Sequence, residues 1–268
     1  MISWQMCAMT DVGVKRDHNE DCVAAFPEHG IAILADGMGG YNAGEVASAM
    51  AVDVIGRMIK AEQAGLKAEQ INPQTGFTEA SVLVRRSVEA ANEAIFRAAI
   101  SKEACAGMGT TVLVAFLYGD RITAAHVGDS RMYRLRENRL SHVTEDHSLV
   151  HEQVRRGLLS ADDARNSRIK NLVTRALGVE AGVEPDLVED MVREGDLFLM
   201  SSDGLTDVVS DEAIAHVLSE HQSKLPMAAQ LLIDMANKAG GPDNISVILI
   251  RAVREAPKKG LFSRLLRK

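Results

Sequence analysis

The chain has 268 residues, 46% of them hydrophobic but only 4% aromatic, so a sizeable core must be built from Ala, Val, Leu, Ile and Met. Its formal net charge of −7 argues against a general nucleic-acid binder. Three cysteines without a CxxC pair, no basic-then-apolar leader and no apolar run near the ~20 residues of a bilayer span predict a cytoplasmic chain with no transmembrane segment. In chain order, short apolar runs bounded by turns predict strands at 22–26 and 30–35. A helix follows Gly44 with Val46, Met50, Val54 and Met58 on one face, and a second spans roughly 77–100, where Val84, Val88, Ala91 and Ile95 recur at helical spacing. Strands then fall at 110–118, 121–127 and 130–135, with "YGDR" (118–121) and "RENR" (136–139) as hairpin turns. Residues 147–170 are polar and charged with few apolar anchors and read as an excursion from the core. A strand at 196–201, helices at 210–219 (capped by Ser210) and 225–238, and a strand at 244–252 complete the pattern. Hairpins interrupted by helix pairs do not make the strict alternation of a parallel doubly wound sheet. They predict an α+β fold of packed antiparallel sheets with helices on the outer faces.

The stretch "ILADGMGG" runs an apolar strand into Asp36 and then strips away side chains at Gly37, Gly39 and Gly40. A glycine-rich turn can cradle phosphate through backbone N–H groups, but Asp36 would repel it. Asp129, Asp203 and Asp243 stand in the same setting, each after an apolar run and before a small or glycine turn, and Glu20-Asp21 adds a fifth acidic group. One such carboxylate is commonly a cap or turn former. Several converging would repel, and burial without a cation costs several kcal/mol each. Only Arg16 and Arg131 lie nearby in sequence. Hard oxygen donors, without Cys or paired His, suit Mg²⁺ or Mn²⁺ rather than Zn²⁺. The glycines then let backbone and substrate approach the metal. Blander roles are expected for the neighbours: Asp207 as a support or helix-start residue, Arg131 as an ion-pair partner, and His126 as a satisfied core histidine. His18 and His147 are minor candidates for proton transfer.

The ordered motifs "DVGVKRDHNED", "ILADGMGG", "GMGTTV", "AHVGDSRMYRL", "VTEDHSLV", "LVTRALG", "LFLMSSDGLTDVV" and "PDNISVILI" resemble those of metal-dependent Ser/Thr protein phosphatases of type 2C, the PPM family, in its compact bacterial form. The resemblance covers about residues 5 to 252. It implies an αββα sandwich of two antiparallel sheets flanked by helix pairs. Residues 1–253 would form the phosphatase domain, with 147–170 as its flap and 254–268 as a basic amphipathic tail. The tail, with Leu261, Phe262, Leu265 and Leu266 at helical spacing, would be a solubilising end or dock to a membrane or protein. By the same resemblance Asp36 bridges two metals with the Gly37 carbonyl beside it, and Asp203 and Asp243 complete the pair. Glu20 and Asp21 would hold metal-bound waters or touch the metal, Asp129 with Asp203 would hold a third, weaker ion, and Arg16 would grip the substrate phosphate. The implied reaction is hydrolysis of phosphothreonine and phosphoserine on proteins by a water shared between two Mn²⁺ or Mg²⁺ ions, opposing a cognate bacterial Ser/Thr kinase. Met38 stands where eukaryotic relatives place a histidine assigned as general acid, which puts the proton donor in question. A catalytically inactive phosphoprotein-binding or regulatory subunit is the alternative; loss of a metal ligand would signal it, and every expected ligand is present.

Overall fold

The computed structural model describes residues 2–39, 43–160, 163, 167 and 172–254. Eleven strands and six α-helices are placed among them. A five-stranded antiparallel sheet contains β1 (Ile2–Asp11), β7 (Arg131–Arg136), β8 (Arg139–His142), β10 (Leu197–Ser201) and β11 (Ile245–Arg254), in the order β1-β11-β10-β7-β8. The second sheet contains β2 (Asp21–Phe26), β3 (Ile31–Met38), β5 (Val112–Tyr118), β6 (Arg121–Val127) and β9 (Asp186–Met191), in the order β2-β3-β5-β6-β9, with the short β4 (Gly109–Thr110) paired to the end of β3. The helices are α1 (Ala43–Glu62), α2 (Glu79–Ser101), α3 (Leu149–Arg155), α4 (Asp203–Thr206), α5 (Asp211–Glu220) and α6 (Leu225–Lys238).

Strand alternation divides the apolar residues into three layers. Ala32 and Leu34 of β3 face Phe198, Met200, Ile248 and Ile250 of the other sheet, forming the centre of the sandwich. Their neighbours Ile31, Ile33 and Ala35 point outward against α1 and α2. On the far side Leu197, Leu199, Val247 and Leu249 point outward against α5 and α6. Central strands are therefore covered on both faces, which is why they read as unbroken apolar runs. The αββα arrangement expected from hairpins and helix pairs is the one observed.

Two details differ from the sequence reading. The buried face of α1 carries Ala47, Ser48, Ala51, Val52, Ile55 and Ile59, one step round from the expected stripe. Val46 is exposed, while Met50, Val54 and Met58 are half-buried on its flank. Small residues let the helix backbone settle close to the sheet, and closeness outweighs side-chain size in choosing the face. The edge strands β1 and β9 were also not anticipated, whereas β8 is the strand that the 136–139 hairpin implied. β1 and β9 are intermediate or exposed along their whole length and so lack the run of buried residues that marks a central strand. The hairpin at 136–139 is made by Glu137 and Asn138, both at positive φ (53° and 59°), as a two-residue turn matched to strand twist requires. Residues 255–268, almost all of the expected tail, lie outside the described residues, as does most of the flap beyond Ser160. Among the described residues no helix is long and apolar enough to cross a membrane.

Candidate functional site

The topology carries all five acidic groups to one end of the sandwich. Asp21 opens β2 and Asp36 lies near the end of β3, and the two are direct register partners across the antiparallel pair. Like charges placed directly opposite normally destabilise a sheet. Asp203 opens α4 just after β10, Asp243 precedes β11, and Asp129 follows β6 in the turn that begins at Gly128.

These carboxylates act on one another. Burial, then the charges of Asp21, Asp203, Asp129 and Asp243, hold the Asp36 carboxyl well above its usual range. Burial, then Asp129, Asp207, Asp243 and Asp21, does the same for Asp203. Asp21 is pushed up to about 6, by burial first and Asp243 as well, despite hydroxyls from Ser246 and Ser202 that favour its charge. Asp129 is also raised to about 6, by burial and by the nearby Asp146. The Oδ1 atoms of Asp21 and Asp203 are buried without any hydrogen-bond partner. A buried carboxylate oxygen left bare is costly, so the set is built for something positive that brings no polypeptide donor. Oxygen donors of this kind fit a hard divalent cation.

The surrounding residues fix the acids in place. Thr111 accepts the Asp36 N–H on its hydroxyl at 3.1 Å, while its own N–H donates to the Asp36 carbonyl at 2.8 Å. Thr110 Oγ1 donates to the same carbonyl at 2.8 Å. Asn244 accepts from the Glu20 N–H (2.9 Å) and donates to the carbonyls of Val12 (2.8 Å) and His18 (2.9 Å), which latches the 12–20 loop over the site. Ser202 donates to Asp21 Oδ2 at 3.0 Å. Sequence reasoning passed over Thr110, Thr111, Ser202 and Asn244. The polar run "TT" inside an apolar strand region was the available signal, since buried hydroxyls need partners.

The glycines are sites of contact. A Cβ on Gly37 would lie 2.2 Å from the Gly44 carbonyl oxygen and 2.5 Å from that of Glu20. The first turn of α1 is thereby seated against the end of β3, with Glu20 wedged between. On the other sheet a Cβ on Gly204 would lie 2.0 Å from the Asn244 carbonyl oxygen. Backbone cannot yield there without separating Asp203 from Asp243. Gly204→Ala is therefore expected to cost about 2 kcal/mol, lowering the melting temperature by roughly 4–8 °C. A thermal melt that moves by less than a degree would show that the junction is loose.

Other expected residues take distinct positions. Arg16 Nη2 lies 2.7 Å from Asp243 Oδ2, at the rim of the cluster. Arg131 grips Asp146 with two nitrogens (Nε to Oδ1 3.0 Å, Nη2 to Oδ2 2.7 Å), the ion-pair role expected of it. Asp207 closes the short helix that Asp203 opens, its N–H donating to the Asp203 carbonyl at 2.8 Å, so it is a helix-end rather than a helix-start residue. His126 is buried, with Nε2 2.7 Å from the Glu145 carbonyl, and stacks on His147 at 4.5 Å between ring centroids. His147 accepts the Gly128 N–H and faces Arg175 and Asp186, so it does not turn toward the acid cluster. His18 does: its Nε2 is 3.6 Å from Glu20 Oε1. Among the described residues His126, His147 and Asp186 also group with donor atoms within 4.8 Å of one another. The Arg175 guanidinium already fills that group, 3.0 Å from His147 and 2.7 Å from Asp186.

Comparison with known proteins gives a consistent picture. The family model for protein phosphatase 2C matches residues 15–245. The serine/threonine phosphatase stp of Listeria welshimeri is 41% identical over 254 residues, covering 94% of this chain and 96% of that protein. The crystal structure of the Mycobacterium tuberculosis serine/threonine phosphatase PstP/Ppp superposes with a TM-score of 0.84 at 33% identity, over 94% of this chain and 100% of that one. The PstP catalytic domain solved in complex with two manganese ions gives 0.82 at 33% identity, over 95% and 100% of the two chains.

Proposed function

Because the chain belongs to the protein phosphatase 2C family and is a protein serine/threonine phosphatase dependent on divalent metal, we propose that it works at the cluster of Asp36, Asp203 and Asp243. Its substrates are phosphothreonine and phosphoserine on proteins. The observation that carries the assignment is the pair of bare, buried Oδ1 atoms on Asp21 and Asp203 among mutually raised carboxyls. Asp36, with the Gly37 carbonyl, would bridge two Mn²⁺ or Mg²⁺ ions, Asp203 and Asp243 would complete the pair, and Glu20 and Asp21 would support it. Two such ions supply an activated bridging water and neutralise the phosphoryl oxygens. Asp129, which acts on Asp203 from the neighbouring turn, would hold a third and weaker ion with it.

The chain's own residues do the rest. Arg16, on the rim beside Asp243, offers a planar fork to two phosphate oxygens. Thr110, Thr111 and Asn244 keep the acids from shifting as charge moves. Met38 has no proton to give, and His147 is engaged by Gly128 and Arg175. Water in the site therefore protonates the leaving oxygen, with His18 the one nearby imidazole. The cytoplasmic partner such an enzyme opposes is a bacterial Ser/Thr kinase. Residues 1–253 act as one catalytic domain, supported by the closing of β11 on β1 at Arg254 and Ile2, and the tail beyond would dock to a membrane or protein.

Phosphate release from a phosphothreonine peptide is expected to require added Mn²⁺ or Mg²⁺, to stop with a chelator and to resume when metal is restored. Turnover unchanged by chelation would overturn the metal centre.

A further inference from the structure

We propose that His147 is a positioning residue for Asp129, clasping the turn on which Asp129 stands and tying that turn to residues 172–175. The inference rests on the reading above of Asp129 and Asp203 as holders of a third, weaker ion.

Asp129 lies in the run Gly128-Asp129-Ser130-Arg131, and its neighbours there are held one by one. The Gly128 N–H donates to His147 Nδ1 at 3.2 Å, while the His147 N–H donates to the Gly128 carbonyl at 2.9 Å. One residue thus grips the other at two points. Gly128 has a φ of 112°, and a Cβ there would lie 2.6 Å from the Thr111 side chain. Thr111 therefore packs directly against the turn, and its hydroxyl lies 2.9 Å from that of Ser130. Arg131 is bound by Asp146, the residue before His147. These contacts fix the backbone on both sides of Asp129, and with it the origin of the carboxylate whose charge acts on Asp203. A metal ligand has to stand within about 0.2 Å of its working distance, so a turn free to shift costs affinity.

His147 is itself held from behind. Its Nδ1 accepts from Gly128, so the proton of the neutral ring stands on Nε2, 3.3 Å from Asp186 Oδ2. Arg175 donates to Asp186 Oδ1 at 2.7 Å and lies 3.0 Å from the same Nε2. The His147 carbonyl accepts the Thr174 N–H at 2.8 Å, and Ser148 forms a β-bridge with Val173. Burial, then the charges of His126 and Arg175, brings the His147 pKa to about 4, which leaves Nδ1 an acceptor at neutral pH.

Substitutions at 147 separate a positioning role from mere filling of space. An asparagine amide can put its oxygen where Nδ1 stands, whereas a glutamine amide reaches the place of Nε2 and offers Gly128 nothing. Mn²⁺ binding to the full chain is titrated calorimetrically, with melting in chelator as the measure of fold. His147→Gln is expected to weaken the weaker binding phase by about ten- to a hundredfold and to leave the tight phase unchanged. His147→Asn should keep most of the weaker phase. In an Asp129→Asn background His147→Gln should change metal binding no further, because the histidine acts through the aspartate. The Gly128 amide gives a reading that needs no variant: slow hydrogen exchange is expected in the metal-free protein. Equal losses in the Gln and Asn variants, a further loss in the double variant, or rapid exchange at Gly128 would overturn the role. A weaker phase that survives Asp129→Asn removes the third-ion assignment and the inference with it. One that is lost in Asp129→Asn but intact in His147→Gln removes only the positioning role.

Discussion

Asp36→Ala is expected to lower turnover of a phosphothreonine peptide in Mn²⁺ by about three orders of magnitude, the equivalent of ~4 kcal/mol of transition-state stabilisation. Asp36 is the carboxylate on which the charges of Asp21, Asp203, Asp129 and Asp243 all act, so its loss removes the group shared by every part of the cluster. Calorimetric titration should show correspondingly weaker Mn²⁺ binding. Loss of activity through unfolding is not expected. The side chain removed is a half-buried acid on the register partner of Asp21, and its removal relieves repulsion in the metal-free chain. The backbone bonds from Thr110 and Thr111 to residue 36 do not depend on its side chain. Activity above about a tenth of wild type, in a protein that melts normally, would remove Asp36 from the metal centre.

The sequence makes the centre of the fold legible and its margins opaque, and the boundary has a physical cause. β3, β5, β6, β10 and β11 are buried on both faces, so each had to be a continuous apolar run between turns. β1 and β9 lie at sheet edges with mixed exposure, and a strand such as "DLVEDM" carries no alternation to distinguish it from a loop. The stripe on α1 was displaced because Val and Met draw the eye, while Ala47, Ala51 and Ser48 make the close contact. In the site, acids at strand ends were visible because carboxylates after apolar runs need a reason. Their holders were not: Asn244 bonds backbone groups at Val12, His18 and Glu20, contacts more than two hundred residues away in sequence. A cavity lined by α3 and the α4–α5 segment was equally hidden, since its walls come from stretches far apart in sequence.

The metal-free protein is expected to lose stability as pH rises through about 6, and added Mn²⁺ is expected to restore it most at the alkaline end of that range. A carboxyl raised in the folded state binds a proton that the unfolded chain, with its Asp pKa near 3.9, has already released. Its contribution is complete below about 4 and is lost as pH climbs through the folded value. For Asp21 and Asp129 that value is about 6, and burial with the neighbouring carboxylates holds Asp36 and Asp203 well above the usual carboxylate range as well, so all four contribute to the fall. Two histidines oppose the trend at lower pH. Burial keeps His126 below its usual value, and burial with the charges of His126 and Arg175 brings His147 to about 4. Each therefore adds stability above the unfolded histidine value near 6.5 and loses it on acidification, which offsets part of the carboxyl trend between about 4 and 6.5 without reversing it, since four carboxyls stand against two histidines. Asp186, Glu189 and Asp211 are held low against burial by their Arg175, Ser81 and His142 bonds and are fully ionised in both states throughout this range. Mn²⁺ requires the ionised acids, so its effect grows as they lose their protons. At a hundredfold excess over its dissociation constant it should add about 2.7 kcal/mol, raising the melting temperature by roughly 5–10 °C. Melts across pH with chelator and with Mn²⁺ measure this, and Asp36→Asn should flatten the metal-free slope while reducing the Mn²⁺ gain. A metal-free stability that rises with pH over this interval, or a Mn²⁺ gain independent of pH, would mean that these carboxyls do not share the proton-binding environment assigned to them.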